Sequence, residues 1–369
     1  MQIKFVETKN DLKEFILLPW QIYKSDPYWV PPLISEVYSI LDPQKNPFWE
    51  HAQQKLFLAK ENGKVVGRIA GIIDQNHIDL HKEQVGFFGF FEVFKDHKIA
   101  ELLLSQVQEW LKEKGMTAMR GPLNPSMNDE CGFLLEGFDS SPTIMMPYNP
   151  PYYLEFMEKF GLKKAKDLFA LIKHVSEGMP ERLIKLAEWS KEREGITIRK
   201  LDMKNLKREA QIMKELYNSA WEKNWGFVPM TDEEIDLMLE KLKPLVVPEL
   251  VLIAEAKGIP IGLSITLPDF NQVLKKLNGR MGPIEIIKFL YYKNKISGCR
   301  SLVGGILKEY RNTGIITALS YETEKAARKL GYEWCEMSWN LEDNDLINRF
   351  ELAMGAKIYK KYRIYETKI

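Results

Sequence analysis

The chain has 369 residues, 45% hydrophobic and 28% charged, which at about 100–200 residues per domain predicts two domains that each bury a core. Its 52 Lys and Arg nearly cancel its 51 Asp and Glu, and the net charge of +1 supplies no global field for nucleic acid or an anionic membrane. No apolar run reaches the ~20 residues of a membrane helix, Lys4, Glu7 and Asp11 interrupt any leader-like stretch, and Cys131, Cys299 and Cys335 form no CxxC pair, so the expected location is the cytoplasm, without disulfides or zinc.

In chain order, residues 3–15 (IKFVETKNDLKEF) open as a short strand and a helix. Residues 56–71 (LFLAKENGKVVGRIAG) read as a hairpin turning at Gly63, and 100–116 (AELLLSQVQEWLKEKGM) as a long helix stopped by Gly115. Residues 156–165 (FMEKFGLKKA) read as a helix end at Gly161 and a last strand. A charged amphipathic helix over 179–195 follows. The series then repeats in 196–209 (ITIRKLDMKNLKRE), 250–265 (LVLIAEAKGIPIGLSI), 315–332 (IITALSYETEKAARKLGY) and 350–359 (FELAMGAKIY). The offset is 206 − 12 = 194 for Leu206 and Leu12, 195 for Gly258 and Gly63, 216 for Leu319 and Leu103 and for Asn340 and Asn124, and 194 again for Gly355 and Gly161.

Colinear order with only two jumps identifies a duplicated unit, with about 22 residues inserted in the first copy near 125–147 and about 21 in the second near 270–297. The expected domains are 1–176 and 196–369, joined by a linker helix over 177–195. Strands, hairpins and long helices in each copy predict a mixed α/β (α+β) class rather than a doubly wound sheet. Within 315–330 the apolar positions Ile315, Ile316, Leu319, Ala326, Ala327 and Leu330 give an interrupted helical stripe.

The stretch 301–318 (SLVGGILKEYRNTGIITA) carries the chemistry. A β-run passes through Tyr310, Arg311, Asn312, Thr313 and Gly314 directly into a helix. Successive backbone N–H groups at such a helix start attract an anion, a pyrophosphate for example, and Gly314 permits close approach. An Arg and a Gly three apart also occur in ordinary turns.

Strand, R-x-x-G turn, helix and a strand ending at Asn340, then Asn344 and Gly355 eleven residues on, resemble the GNAT acyl-CoA N-acyltransferase superfamily. Arg311 and Gly314 match the first and fourth positions of its [QR]-x-x-G-x-[GA] cofactor loop, and Ile316 departs from the sixth. The resemblance covers both copies. It implies two tandem GNAT-like domains, each a mixed, mostly antiparallel sheet flanked by helices. It also implies an acetyl-CoA or longer acyl-CoA co-substrate, no metal, and a cofactor site at Val303, Gly304, Gly305, Ile306, Leu307, Arg311, Asn312, Thr313, Gly314, Ile315 and Asn344. Gly304 and Gly305 would ease approach of the pantetheine arm, or simply relieve packing. Subtracting 216 from Arg311, Gly314 and Ile316 gives Lys95, Lys98 and Ala100, so the first copy lacks the loop Gly and the cofactor is assigned to the second. In many members a Tyr seven residues after the Asn acts as acid; here that position is Glu351, and Met157 in the first copy, which leaves the acid unassigned.

The first copy's insertion groups Asn124, Asn128, Asp129, Glu130, Tyr148, Asn149, Tyr152 and Tyr153 among prolines, a composition suited to a preorganised acceptor pocket or to a loop that satisfies its own backbone. Glu130, or Glu92 at the end of GFFGFFE, would take the amine proton if burial raises its pKa; Asn128 and Tyr152 complete the catalytic candidates. Phe87, Phe88, Phe90 and Phe91 with Met145 and Met146 are core, or line a channel for a long-chain acyl group or a lipid-like amine. The resulting expectation is transfer of an acyl group from CoA to a primary amine, small or lipid-like, with no nucleic-acid partner and no integral membrane segment. The alternatives are an inactive tandem ligand-binding or scaffold protein and a Fem-type aminoacyltransferase. His77 and His81 stand at ligand spacing in what reads as a loop, without a third His.

Overall fold

The computed structural model describes residues 1–221, 224–311 and 313–369. Contacts group the chain into unit 1 (1–168, 274–289 and 360–369) and unit 2 (169–273 and 290–359).

Unit 1 begins with β1 (Gln2–Phe5), β2 (Ala52–Glu61), β3 (Lys64–Asp74), β4 (Val85–Val93) and β5 (Ala118–Gly121), side by side in that order. All neighbours are antiparallel except β4 and β5. Asn62 and Gly63 both adopt positive φ, the backbone that a two-residue hairpin turn requires between right-twisted strands. The parallel step from β4 to β5 crosses over through the helix His97–Glu113. Its buried residues Ile99, Ala100, Leu103, Leu104, Val107, Trp110 and Leu111 recur at helical spacing and pack on Phe57, Ile69 and Phe88 of the sheet.

The first insertion forms a small ladder of β6 (Leu123–Asn124) and β7 (Glu130–Cys131), then β8 (Phe133–Glu136). The helix Tyr152–Phe160 and β9 (Lys163–His174) follow.

Unit 2 repeats the plan. β10 (Ile196–Lys200), β11 (Val251–Ala256), β12 (Ile259–Pro268) and β13 (Gly298–Ile306) run antiparallel in order, and β13 then pairs in parallel with β14 (Trp334–Leu341). The helix Ile315–Lys329 crosses over between the last two and packs Ile315 and Leu319 on Leu252, Ala254 and Ile261. Its stripe differs from the apolar reading: Thr317 and Thr323 are buried while Leu330 is 44% exposed. The Thr323 hydroxyl lies 3.3 Å from that of Ser264, so hydrogen bonding lets polar residues fill the gaps. The helix Glu181–Glu194 ends at Gly195 in the left-handed conformation.

The chain closes with β15 (Lys357–Lys368), whose residues from 360 onward belong to unit 1. There β15 pairs with β5, Tyr365 opposite Gly121, and with β8. In unit 2 the strand beside β14 is β9. The strand that ends each copy is therefore not the one beside that copy's fifth strand. Its local pattern carries no information about the sheet edge it joins, and the two candidates occupy equivalent places in the repeat. The second insertion folds as the helices Asn271–Leu277 and Pro283–Tyr292. Gly279, between them, accepts a 2.9 Å bond from the Ile34 amide.

Candidate active site

In both units the parallel pair parts halfway. Pairing of β13 with β14 ends at Ser301 and Met337, and pairing of β4 with β5 ends at Phe87 and Arg120, although β13 and β4 continue to Ile306 and Val93. Each continuing strand also carries an extra residue: Leu302 stands between the partners of Ile265 and Thr266, and Phe90 and Phe91 together face Ile69. Such a bulge turns backbone N–H and C=O groups out of the ladder.

The two openings differ. In unit 1 the Asn124 side chain enters and accepts a 2.7 Å bond from the Phe90 amide, and a Cβ on Gly89 would lie 1.7 Å from the Leu123 carbonyl oxygen. The opening is filled by the chain itself. In unit 2 Val303 is half-buried and Gly304 exposed, and a Cβ on Gly304 would meet only the Ile316 side chain, at 3.6 Å. Ile316 thus lies against the strand.

The loops into the crossover helices differ as well. Gly67 pairs with Val93 and Gly262 with Ile306, an offset of 306 − 93 = 213, against 216 at the helix ends, Gly115 and Gly331. Three residues are therefore missing from the first copy's loop. Ala100, within the helix, keeps the offset of 216 as the counterpart of Ile316, whereas one offset does not fix the counterparts of Arg311 and Gly314, because the gap lies between the strand end and the helix and only strand register reveals it. In unit 1 the Asp96 carboxylate caps the helix, accepting from the Lys98 amide at 2.9 Å, which places a negative charge where an anionic ligand would sit. In unit 2 the cap is Gly314, at φ 86° and without a side-chain bond. The Ser190 hydroxyl donates to the Thr313 carbonyl at 2.7 Å and steadies the loop. Ala318 is the residue whose amide bonds back to Gly314, so the amides of 315–317 precede the first intrahelical bond. Ile306 and Leu307 pack on the unit 2 core and Ile315 belongs to it; the Leu307 amide donates to the Ile261 carbonyl at 2.9 Å and its carbonyl accepts from the Tyr310 amide at 3.0 Å, so of the expected strand segment only 303–306 stays a candidate for backbone contacts with a ligand. Arg311 is exposed, Asn312 lies outside the described residues, and Asn344 caps the helix Asp345–Ala353 without a side-chain bond.

Among the described residues two carboxyl groups, Glu351 and Glu92, are raised above the ordinary carboxylate range. Glu351 is 6% exposed and receives a 2.6 Å bond from Asn340, on β14 beyond its last residue paired with β13. Burial pushes its carboxyl up to about 7, and the Asn340 bond opposes the shift. In unit 1 Glu92 faces Arg68 across the β3–β4 ladder and accepts bonds from Tyr23 at 3.0 Å and Tyr153 at 2.8 Å. Loss of solvent around the carboxyl raises it to about 7, against the pull of Arg68 and the two hydroxyls. Tyr23 and Tyr153 are 3% and 0% exposed, and burial beside Glu92 keeps both phenols protonated. Glu92 itself and Tyr152 retain partial exposure, so the cluster opens outward through them.

Among the other sequence candidates, the Tyr152 hydroxyl donates to the Val93 carbonyl at 2.8 Å, one residue beyond Glu92. Glu130 pairs with Asn124 in the β6–β7 ladder, and the Asn128 amide bonds the Ser126 hydroxyl at 3.1 Å. Tyr23 was absent from the sequence candidates; it lies 69 residues before Glu92, and no local pattern connects them. His77 sits on a helix, Gln75–His81, rather than in a loop, because Asp74 caps it. His77 is 1% exposed and bonds Glu83 at 2.8 Å. Among the described residues no cluster of three or more His, Cys, Asp or Glu could hold a metal.

A repeated sheet that parts beside a crossover helix defines the architecture of a tandem acyltransferase. The model of the acetyltransferase (GNAT) family matches residues 20–126. Protein YghO of Escherichia coli (strain K12) is 36% identical over 371 residues, covering 98% of this chain and 94% of that protein. The bacterial ceramide synthase of Caulobacter vibrioides (strain NA1000 / CB15N) is 34% identical over 372 residues, covering 98% and 96%. A tandem GNAT protein from the clavulanic acid biosynthesis pathway shares the fold with a TM-score of 0.59 at 12% identity, covering 100% of this chain and 98% of its own. The chain belongs to the GNAT superfamily as a tandem member, a family that generally uses an acyl-CoA co-substrate.

Proposed function

We propose that unit 2 binds an acyl-CoA and that the protein transfers the acyl group to a primary amine of lipid-like chemistry. The observation that carries this reading is the open parting of β13 and β14 next to a helix start capped by Gly314. Backbone groups of 303–306 would line the pantetheine arm and stabilise the thioester oxyanion, while Arg311 and the amides of 315–317 would face the phosphates. A ceramide is the amide of a long-chain amino alcohol, so the name of the Caulobacter relative favours a sphingoid-type acceptor over a small amine.

In the reaction the amine nitrogen attacks the thioester carbonyl, the C–N bond forms, the C–S bond breaks, and one proton passes from amine to thiolate overall. Glu351, at the position where many relatives carry the acid, gives the thiolate its proton. Glu92 is the candidate base for the amine proton, with Asn128, Glu130 and Tyr152 as further acceptor-side candidates.

Two measurements test this. An acyl-CoA at 100 times its Kd raises the unfolding free energy by about 2.7 kcal/mol, and Gly314→Ala, which brings a Cβ to 3.1 Å from that of Ser190 at φ 86°, reduces the shift at equal ligand concentration. No shift with any chain length in a folded sample removes the proposal. In the pH profile of kcat/KM, activity falls above about 7 as Glu351 loses its proton. Glu351→Gln lowers the rate about a hundredfold and abolishes that alkaline limb; a variant that keeps the limb excludes Glu351 as the acid. The placement of Ile316 against Gly304 favours one other reading, a binding protein without turnover. That protein would show the thermal shift but release no free CoA when given acyl-CoA and amine.

A further inference from the structure

The helix Pro283–Tyr292 in the second insertion contains no buried residue. Ile284, Ile286, Ile287, Leu290 and Tyr291 are 66%, 48%, 69%, 52% and 57% exposed, and Met281 just before them 44%. At 3.6 residues per turn these five helix side chains span an arc of roughly 160°. Glu285, Phe289 and Tyr292, the less exposed residues, fall on the opposite side. A helix on the surface of a soluble domain normally turns its apolar stripe inward; this one turns it outward. Exposed apolar residues scattered singly need no explanation, but a contiguous set on one face does.

Charge supplies the second observation. Between 276 and 295 the exposed residues Lys276, Arg280, Lys288, Lys293 and Lys295 face a single acid, Glu285, in a chain whose net charge is only +1. The Lys295 ammonium donates to the Tyr291 hydroxyl at 2.6 Å and lies 4.1 Å from its ring centroid, at the edge of the apolar face. The preceding turn is pinned: Trp20 donates to the Asn278 side chain at 3.1 Å, and Ile34 bonds Gly279.

We propose that this helix is a docking surface for an anionic phospholipid bilayer. Its ten residues make a rod of about 15 Å, half the ~30 Å hydrocarbon thickness, so it lies in the plane of the interface. The isoleucines and Leu290 enter the acyl boundary, and the lysines and Arg280 meet headgroup phosphates. A second copy of the chain fits less well, because a two-fold contact would set five cations against five. The inference stands independently of the acyl-transfer reading.

The test is co-sedimentation of the full-length protein with vesicles of phosphatidylcholine alone or in equal mixture with phosphatidylglycerol. The protein pellets with the mixed vesicles, less so in high salt, and weakly with the neutral ones. Ile284→Asp with Ile287→Asp lowers the partition coefficient about tenfold or more, and Lys293→Glu with Lys295→Glu lowers it on anionic vesicles only. Both variants keep the wild-type unfolding midpoint, since the altered side chains are exposed. The proposal is overturned if nothing pellets with the mixed vesicles, if the variants bind as wild type does, or if the chain is a dimer in solution that the isoleucine substitutions dissociate.

Discussion

Replacing Glu92 with Gln lowers turnover by about 10²–10⁴ while acyl-CoA binding to the folded protein is unchanged. The range is that of a lost general base. Gln keeps the acceptor oxygen for Tyr23 and Tyr153 but has no state that takes a proton. With Glu92 at about 7, the acidic limb of the wild-type kcat/KM profile, below that value, is the loss of the Glu92 carboxylate, and this limb disappears in the variant. Stability supplies the control. The folded-state value exceeds the ordinary 4.5, so as pH rises from 4.5 the unfolded chain gives up this proton first, and the native state loses stability until pH passes about 7. Wild type and variant thus differ least near pH 4, and above pH 7 the variant is freed of the penalty. A variant that retains both wild-type turnover and the acidic limb shows that Glu92 is a buried structural carboxyl.

A methyl group on Gly89 destabilises the protein by about 3 kcal/mol or more, at the upper end of overpacking effects. The Cβ would lie 1.7 Å from the Leu123 carbonyl oxygen and 3.1 Å from the Asn124 side-chain oxygen. The Leu123 oxygen belongs to backbone and cannot rotate away, and Asn124 is held by the Phe90 amide. The second copy provides the contrast: Gly304→Ala meets only the end of Ile316 in ordinary contact and leaves unfolding unchanged. The measurement is denaturant unfolding of the full-length variants. Equal midpoints for the two alanine variants would mean that the opening in unit 1 is not filled as described.

The glycine turns were legible because they act locally. Gly63, Gly258 and Gly314 adopt positive φ, and their neighbours in sequence announce a turn or a helix start. The cofactor loop was legible for the same reason. Its degeneration in the first copy was visible as a lost glycine, but the missing three residues emerged only from the strand register. Glu92 could be named from its place at the end of an apolar strand. Tyr23, the cap just after the short helix Pro19–Ile22, and Arg68, on the neighbouring strand, set its environment, and side chains so far apart in the chain leave no trace in spacing. Glu351 was counted into position by the resemblance, and its acidity depends on burial against Asn340.

Composition, periodicity and the repeat by themselves determined the class of fold, the duplication and the unequal loops of the two copies, because each rests on short-range preferences written into consecutive residues. The tertiary structure alone decided which final strand each fifth strand accepts, that Asn124 fills the opening in unit 1, and that the helix at 283–292 turns its isoleucines outward. Those outcomes depend on which surfaces meet, and two strands at equivalent places in the repeat or the two faces of one helix are assigned only by what the rest of the chain places beside them.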